Sequence, residues 1–289
     1  MPFALFTDSF SNLPGRILTQ LQIRVLPCTY RLDGKNVSYN GDIESFNSKK
    51  FYNLMRAGKS VTTSLLNVSV FLEHMRPALE QGEDVVYVGL SGSVSGTYQS
   101  ATIAAEQLRE EFPGRTVRMV DSMGAGLGTG ILTCLGADFR NQGKTADEAA
   151  DELEKARAHL CEYFTVDDLR YLRGTGRISA AAAAIGSMLN IKPLLRGDEA
   201  GYIVSCGKCR GRKKAMEAIL EKYAKKVVNP GSQRVAISHG DCPEEAEELA
   251  RRVREIAQPG ELIICPHEPF TGSHVGPGML ALFFFGDSR

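Results

Sequence analysis

An alternation in its first half constrains this chain more than any other feature. Apolar or β-branched runs at 3–7, 23–30, 84–90 and 116–120 are interleaved with amphipathic stretches at 43–55, 68–81, 97–112 and 125–141. Parallel neighbours need crossovers, and strands alternating with helical patterns of roughly 10–15 residues predict βαβ units and a largely parallel sheet covered by helices. The carboxyl ends of such strands are where function-bearing loops are expected.

The second half has a different texture. A helical pattern at 146–161, with apolar positions Leu153, Ala156 and Leu160, leads to a strand at 163–165 and a short helix at 167–172. An alanine-rich helix at 180–189 follows, and then a hairpin over 191–205 with Gly197, Asp198 and Gly201 at its turn. Helices at 213–226 and 243–256 alternate with strands at 234–238, 262–266 and 279–285. This predicts two α/β domains, 1–160 with a largely parallel sheet flanked by helices and 161–289 with a mixed sheet. A length of 289 residues is enough for two cores of ordinary size.

Charge narrows the function. The 34 basic residues balance 34 acidic ones, so the basic surplus that phosphate backbones require is missing and nucleic acid is not expected as a partner. The first residues lack the basic start and apolar stretch of a signal peptide, and no apolar run nears the about 18 residues of a membrane span. A cytoplasmic protein is expected, its seven cysteines reduced thiols, and neutrality without a dimer stripe suggests a monomer. Cys206 and Cys209 form a lone C-x-x-C with no second pair, which offers no zinc site, and no cofactor is expected.

Four loops after predicted strands are rich in hydroxyls, glycine and carboxylate: Thr7-Asp8-Ser9, Thr62-Thr63-Ser64, Ser91 to Thr97, and Asp121-Ser122. Each hydroxyl is suited to capping the next helix. Together, if their strands are neighbours, they are equally suited to an anion, since hydroxyls and helix-start amides donate hydrogen bonds without adding a charge. A carboxylate and a phosphate both satisfy that description. The nucleophile elbow of a hydrolase is absent, because Gly89-Leu90-Ser91-Gly92-Ser93 lacks its last glycine and Gly92-Ser93-Val94-Ser95-Gly96 is centred on valine. A basic run, Lys208-Cys209-Arg210-Gly211-Arg212-Lys213-Lys214, reads either as solvated surface or as a site for anionic headgroups or an acidic partner. Near the end, His274 precedes the Gly276-Pro277-Gly278 turn, as a loop residue bonded to backbone or as a donor to an anion.

In order and spacing, several of these motifs resemble the DegV family. They are Thr7-Asp8-Ser9, Thr63-Ser64, Ser95-Gly96-Thr97-Tyr98, Val120-Asp121-Ser122, Asp168-Leu169 with Gly176-Arg177-Ile178-Ser179, Lys192-Pro193, and His274 to Gly278. The resemblance implies a lipid tunnel between or within two α/β domains, and a non-catalytic carrier subunit of a bacterial fatty acid kinase. In that role the chain presents a bound long-chain fatty acid's carboxylate to a separate ATP-dependent kinase subunit, for phospholipid synthesis. It also implies that Thr63, Ser64, Ser95, Gly96, Thr97, His274 and Gly276 form the head-group site, with Arg177, Lys208, Arg210 and Arg212 facing the kinase or an anionic membrane surface. Ile178, Ala182, Ile185, Met188 and Leu189 are the expected tunnel lining. Where the family commonly has Thr-Ser-Gln-Pro, this chain has Thr63-Ser64-Leu65-Leu66, which alters the loop beside the head group. The competing expectation is an autonomous hydrolase or phosphotransferase built on Asp8, Asp121 and His274.

Overall fold

A computed structural model describes residues 3–178 and 190–289. Its first sheet is fully parallel, in the order β2 (Ile23–Leu26), β1 (Ala4–Asp8), β6 (Val85–Gly89), β7 (Val117–Asp121). Strands β1 and β6 are buried at every position, as their near-continuous apolar sequences require when helices cover both faces. Alternation decides which core each side chain joins. Phe3, Leu5, Val86 and Val88 face α5 (Leu127–Asn141) and α6 (Ala146–Ala156), whereas Ala4, Phe6, Val85 and Tyr87 face α3 (Val68–Glu80) and α4 (Thr97–Glu111). The connections leave β1 toward β2 on one side and reach β6 on the other, so a topological switch point lies between β1 and β6.

One predicted strand is in fact two. The run at 23–30 is broken at Pro27, which has no amide to donate: β2 ends in the first sheet and β3 (Cys28–Leu32) starts another. Strand β3 pairs antiparallel with β4 (Lys35–Tyr39) and with β5 (Val61–Thr63), making a three-stranded sheet that sequence reading does not anticipate. The pairing of Thr63 with Tyr30 fixes where the Thr63-Ser64 loop begins. Helices α1 (Gly15–Gln20) and α2 (Ser48–Arg56) complete this region, and the predicted helix at 43–55 is a short 3-10 turn followed by α2.

The second large sheet has the order β10 (Ile203–Arg210), β9 (Ile191–Gly197), β8 (Leu160–Thr165), β13 (Leu280–Phe285), β11 (Arg234–His239), β12 (Glu261–Pro266). Only β11 and β12 run parallel. The predicted helix at 146–161 stops early, since α6 ends at Ala156 and β8 starts at Leu160. On β13, Leu280, Leu282 and Phe284 pack against α8 (Arg212–Lys226) and α9 (Pro243–Ile256), while Ala281 and Phe283 turn toward α5 and the first sheet. Two short helices complete the described α-helices, α7 (Arg170–Gly174) and α10 (Pro269–Val275). None of the described helices is long and apolar enough to cross a membrane. The alanine-rich helix expected at 180–189, with Ala182, Ile185, Met188 and Leu189, lies outside the described residues.

Candidate ligand-binding cavity

The loops after β1 and β6 meet at the switch point, and one buried carboxylate joins them. Asp8 accepts hydrogen bonds from the amides of Phe10 (3.0 Å) and Leu90 (3.3 Å) and from the Tyr87 hydroxyl. Burial pushes Asp8 up to about 6, although those three bonds oppose the shift. Directly outside these loops is a cavity of about 280 Å³, near the roughly 300 Å³ lower end for small-molecule pockets. Phe10, Leu90 and Ser91 line it from the first sheet, and Phe164, Ala281 and Phe283 from the second. The tip of the β9–β10 hairpin closes one side: Ser91 Oγ donates to the Gly201 carbonyl at 3.0 Å, and Ser93 Oγ donates to that of Ala200 at 2.5 Å.

One end of the cavity is polar. Thr63, Ser64, Ser95, Gly96, Arg177 and His274 line it together. Thr63 Oγ1 lies 3.2 Å from His274 Nε2. Burial, assisted by the Arg177 charge, pulls His274 down to about 4, so the imidazole is neutral at pH 7. Its Nδ1 is buried and has no hydrogen-bond partner among the described residues. Arg177 is held by the carbonyls of Val94 (3.3 Å) and Thr175. Ser95 Oγ donates to Thr97 Oγ1 at 3.0 Å and accepts from the Thr97 amide at 3.2 Å. A rotation of the Ser95 hydroxyl would redirect its proton into the cavity.

His274 is on a helix and not in a loop. Glu268 caps α10, accepting from the amides of Phe270 at 2.5 Å and Thr271 at 2.8 Å, with Pro269 in the first turn. Buried throughout, Glu268 is pushed up to about 8 by desolvation against the pull of its hydrogen bonds. Thr271 and His274, three residues apart, then share the face turned to the cavity. Thr271 Oγ1 is 2.7 Å from His267 Nε2, whose Nδ1 is 2.8 Å from Ser238 Oγ. Burial, with His239 adding to it, pulls His267 down to about 3, so a second neutral imidazole stands under the polar end.

The loop that departs from Thr-Ser-Gln-Pro makes a bond proline could not. Leu66 is buried, and its amide donates to Thr97 Oγ1 at 3.2 Å. Leu65, 51% exposed, lies over Gly96 at the cavity mouth beside the exposed Ser64.

Several expected site residues do other work. Thr97 and Gly276 are not on the cavity wall: Thr97 supports Ser95 and Leu66, and Gly276 ends α10 at φ 81°, where any side chain would meet the Tyr171 ring. Ile178 is buried in the core and bridges Ile203; the latter is the residue that lines the cavity. Arg177, grouped by sequence with a partner-facing surface, is at the polar end of the cavity. Arg212 pairs with Glu245 at 2.6 Å and lies 3.8 Å from Asp167, whereas Lys208 and Arg210 are exposed. Asp8 and Asp121 are off the cavity wall, and Asp121 accepts from the amides of Met123 (2.7 Å) and Gly92 (3.1 Å). These two carboxylates and His274 therefore do not share one site.

Sequence reading overlooks Glu162. The strand expected at 163–165 begins three residues earlier, and alternation along β8 puts Glu162 on the cavity wall with Phe164. Its carboxylate accepts from the Ala125 amide at 2.9 Å and pairs with Arg289 at 3.2 Å, with both side chains almost wholly buried. Burial raises Glu162, opposed by Arg289 and the Ala125 amide.

Known proteins share this arrangement over its full length. A family model described as an uncharacterised protein of the DegV family matches residues 2–287. A DegV domain-containing protein of Clostridium perfringens is 39% identical over 288 residues, which cover 99% of this chain and 98% of the relative. The solved structure of a DegV family protein from Thermus thermophilus, described by its fatty acid binding, superposes with a TM-score of 0.86 at 32% identity, covering 99% of this chain and all (100%) of that one. The structure of DegV from Bacillus subtilis, described as a fatty acid binding protein, has a TM-score of 0.81 at 28% identity, with 98% of each chain covered.

Proposed function

Because this chain belongs to the DegV family, we propose that it binds one long-chain fatty acid in the cavity between its two large sheets and performs no chemistry on it alone. The observation that carries this reading is the polarity of the cavity. Uncharged donors and neutral imidazole collect at one end, and apolar side chains from β8 and β13 line the walls. In this reading the carboxylate accepts hydrogen bonds from Thr63 and Ser95, with Arg177 supplying the nearest positive charge. His274 positions Thr63 through their 3.2 Å contact.

The physics assigns different tasks to the two ends. Burying an acyl chain contributes about 0.8 kcal/mol per methylene, so the tail dominates affinity. Each hydrogen bond to the charged head adds about 1.5–3 kcal/mol and fixes which atom faces out. The exposed mouth at Ser64 and Leu65 is the exit through which the carboxylate is presented to a separate ATP-dependent kinase subunit, which forms the acyl phosphate. Lys208 and Arg210 supply basic surface for that subunit or for an anionic membrane. The protein works as a cytoplasmic bacterial monomer of two α/β units, 1–160 and 161–289, without nucleic acid or cofactor.

Mass spectrometry of protein purified from a bacterial host, first native and then after organic extraction, tests the reading. One fatty acid per chain is the expected result. A protein that carries none, and takes up none from saturated or unsaturated acids, overturns it. For presentation, Ser95→Ala is expected to reduce phosphorylation by the kinase more than it reduces binding; equal losses would remove Ser95 from that role.

A further inference from the structure

A buried carboxylate on the wall of a largely apolar cavity, paired behind it with Arg289, needs a reason. Glu162 and Arg289 contribute little to stability as a pair, because desolvating two charges offsets most of their attraction. Space has nevertheless been kept for the carboxylate. A side chain at Gly124 would approach Glu162 Oε1 to 2.6 Å, one at Gly197 would approach Oε2 to 2.8 Å, and one at Gly128 would fall on Oε1 itself. A carboxylate offers about four acceptor positions. Among the described residues, Glu162 receives hydrogen bonds only from the Ala125 amide and Arg289 Nη2. Arg289 Nε is also buried without an acceptor among the described residues.

Position along the tunnel gives this spare capacity a meaning. Glu162 is in register with Phe283 on β13, whereas Met279 lies toward α10 and His274. Four residues of extended chain, roughly 13 Å, separate the two levels. A plain alkyl chain running from the polar end past Phe283 would cover the carboxylate without giving it a hydrogen bond, which is unfavourable. A hydroxyl at that level would donate to it.

Resting on the fatty-acid reading above, we propose that Glu162, held by Arg289, is a specificity-determining acceptor for a hydroxyl group carried far along the acyl chain, so that hydroxylated fatty acids are the preferred ligand class. The test is competition. The protein is incubated with equal amounts of a plain acid and its ω-hydroxy counterpart, in the decanoic, dodecanoic, tetradecanoic and hexadecanoic series, and native mass spectrometry reads the ratio bound. At one length the hydroxy acid is expected to win by about tenfold, equivalent to about 1.4 kcal/mol. The double variant Glu162→Leu, Arg289→Met is expected to abolish that preference and favour the plain acid. Plain acids that bind equally well or better at every length overturn this inference alone, as does a hydroxyl preference that survives in the variant. Failure of both series to bind overturns the fatty-acid reading and this inference with it. If the variant does not fold, the wild-type ratios across the four lengths still decide.

Discussion

Glu268 allows the cap of α10 to be tested through a single proton. Burial holds its carboxyl near 8 in the native state against an ordinary value of 4.5. Between those values the native protein keeps a proton that the unfolded chain has lost, so this group's contribution is fully present below about 4.5 and disappears as pH rises through 8. His267 and His274 act in the opposite sense. Native values of about 3 and about 4, against 6.5 unfolded, make them add stability as pH rises toward 6.5 and nothing further above it. The Asp8 contribution is lost by about pH 6. Glu268 therefore governs the interval from 6.5 to 8, where one proton at about 1.36 kcal/mol per pH unit removes about 2 kcal/mol of stability. In Glu268→Gln that slope should vanish. The variant should start about 1 kcal/mol less stable at pH 6.5, because its amide nitrogen replaces one of the two oxygens that accept from Phe270 and Thr271, and should end about 1 kcal/mol more stable than the wild type at pH 8. Urea unfolding at half-unit steps of pH across the interval measures both effects. If the variant and the wild type lose stability in parallel, native Glu268 is ionised and the account of the cap is wrong.

Two further substitutions probe the cavity's surroundings. Leu66→Pro deletes the amide that donates to Thr97 Oγ1; a loss of about 1 kcal/mol in urea unfolding is expected, and an unchanged midpoint would mean that other contacts hold the loop. Gly128→Ala puts a methyl group onto Glu162 Oε1 and 3.1 Å from the Phe283 ring, so thermal unfolding should show a cost of about 1–3 kcal/mol. Normal stability there would show that the carboxylate moves aside freely.

The parallel sheet and its helices were legible because their signals are local: β1 and β6 carry short continuous apolar runs, Ala4 to Phe6 and Val85 to Val88, and α3 to α5 have long amphipathic patterns. The family resemblance was legible in the order of the loop motifs, and the match across residues 2–287 supports it. What escaped was decided by tertiary contact. Strands β4 and β5 are short and largely polar, and they exist because β3 pairs with both. Helix α10 contains Gly272, which reads as loop; the close approach of the Tyr52 hydroxyl, 2.5 Å from where a Cβ would stand, accounts for glycine at that point. Glu162 was hidden because a charged residue beside a short apolar run resembles a strand boundary. Only extending the period-2 pattern back to Leu160 would have placed it beside Phe164.

Helix α5 carries a consequence for how the protein unfolds. Ten of its residues are buried, and the apolar Leu127, Ile131, Leu132, Cys134 and Ala137 among them share one continuous core with residues of β1, β6, β8, β11 and β13. Gly130 lets the Ser11 carbonyl approach to 2.5 Å of where a Cβ would stand, so the helix is set deep in the first sheet's loops while its other side meets the second sheet. Neither sheet can be stripped away without exposing a face of α5. The two halves should therefore melt as one cooperative unit, and heat should produce a single transition despite the chain's length. Any molecule held between the sheets would raise that whole transition by RT ln(1 + [L]/Kd). Loading of the cavity could then be followed from the melting temperature alone, with no label and no knowledge of which chain is inside.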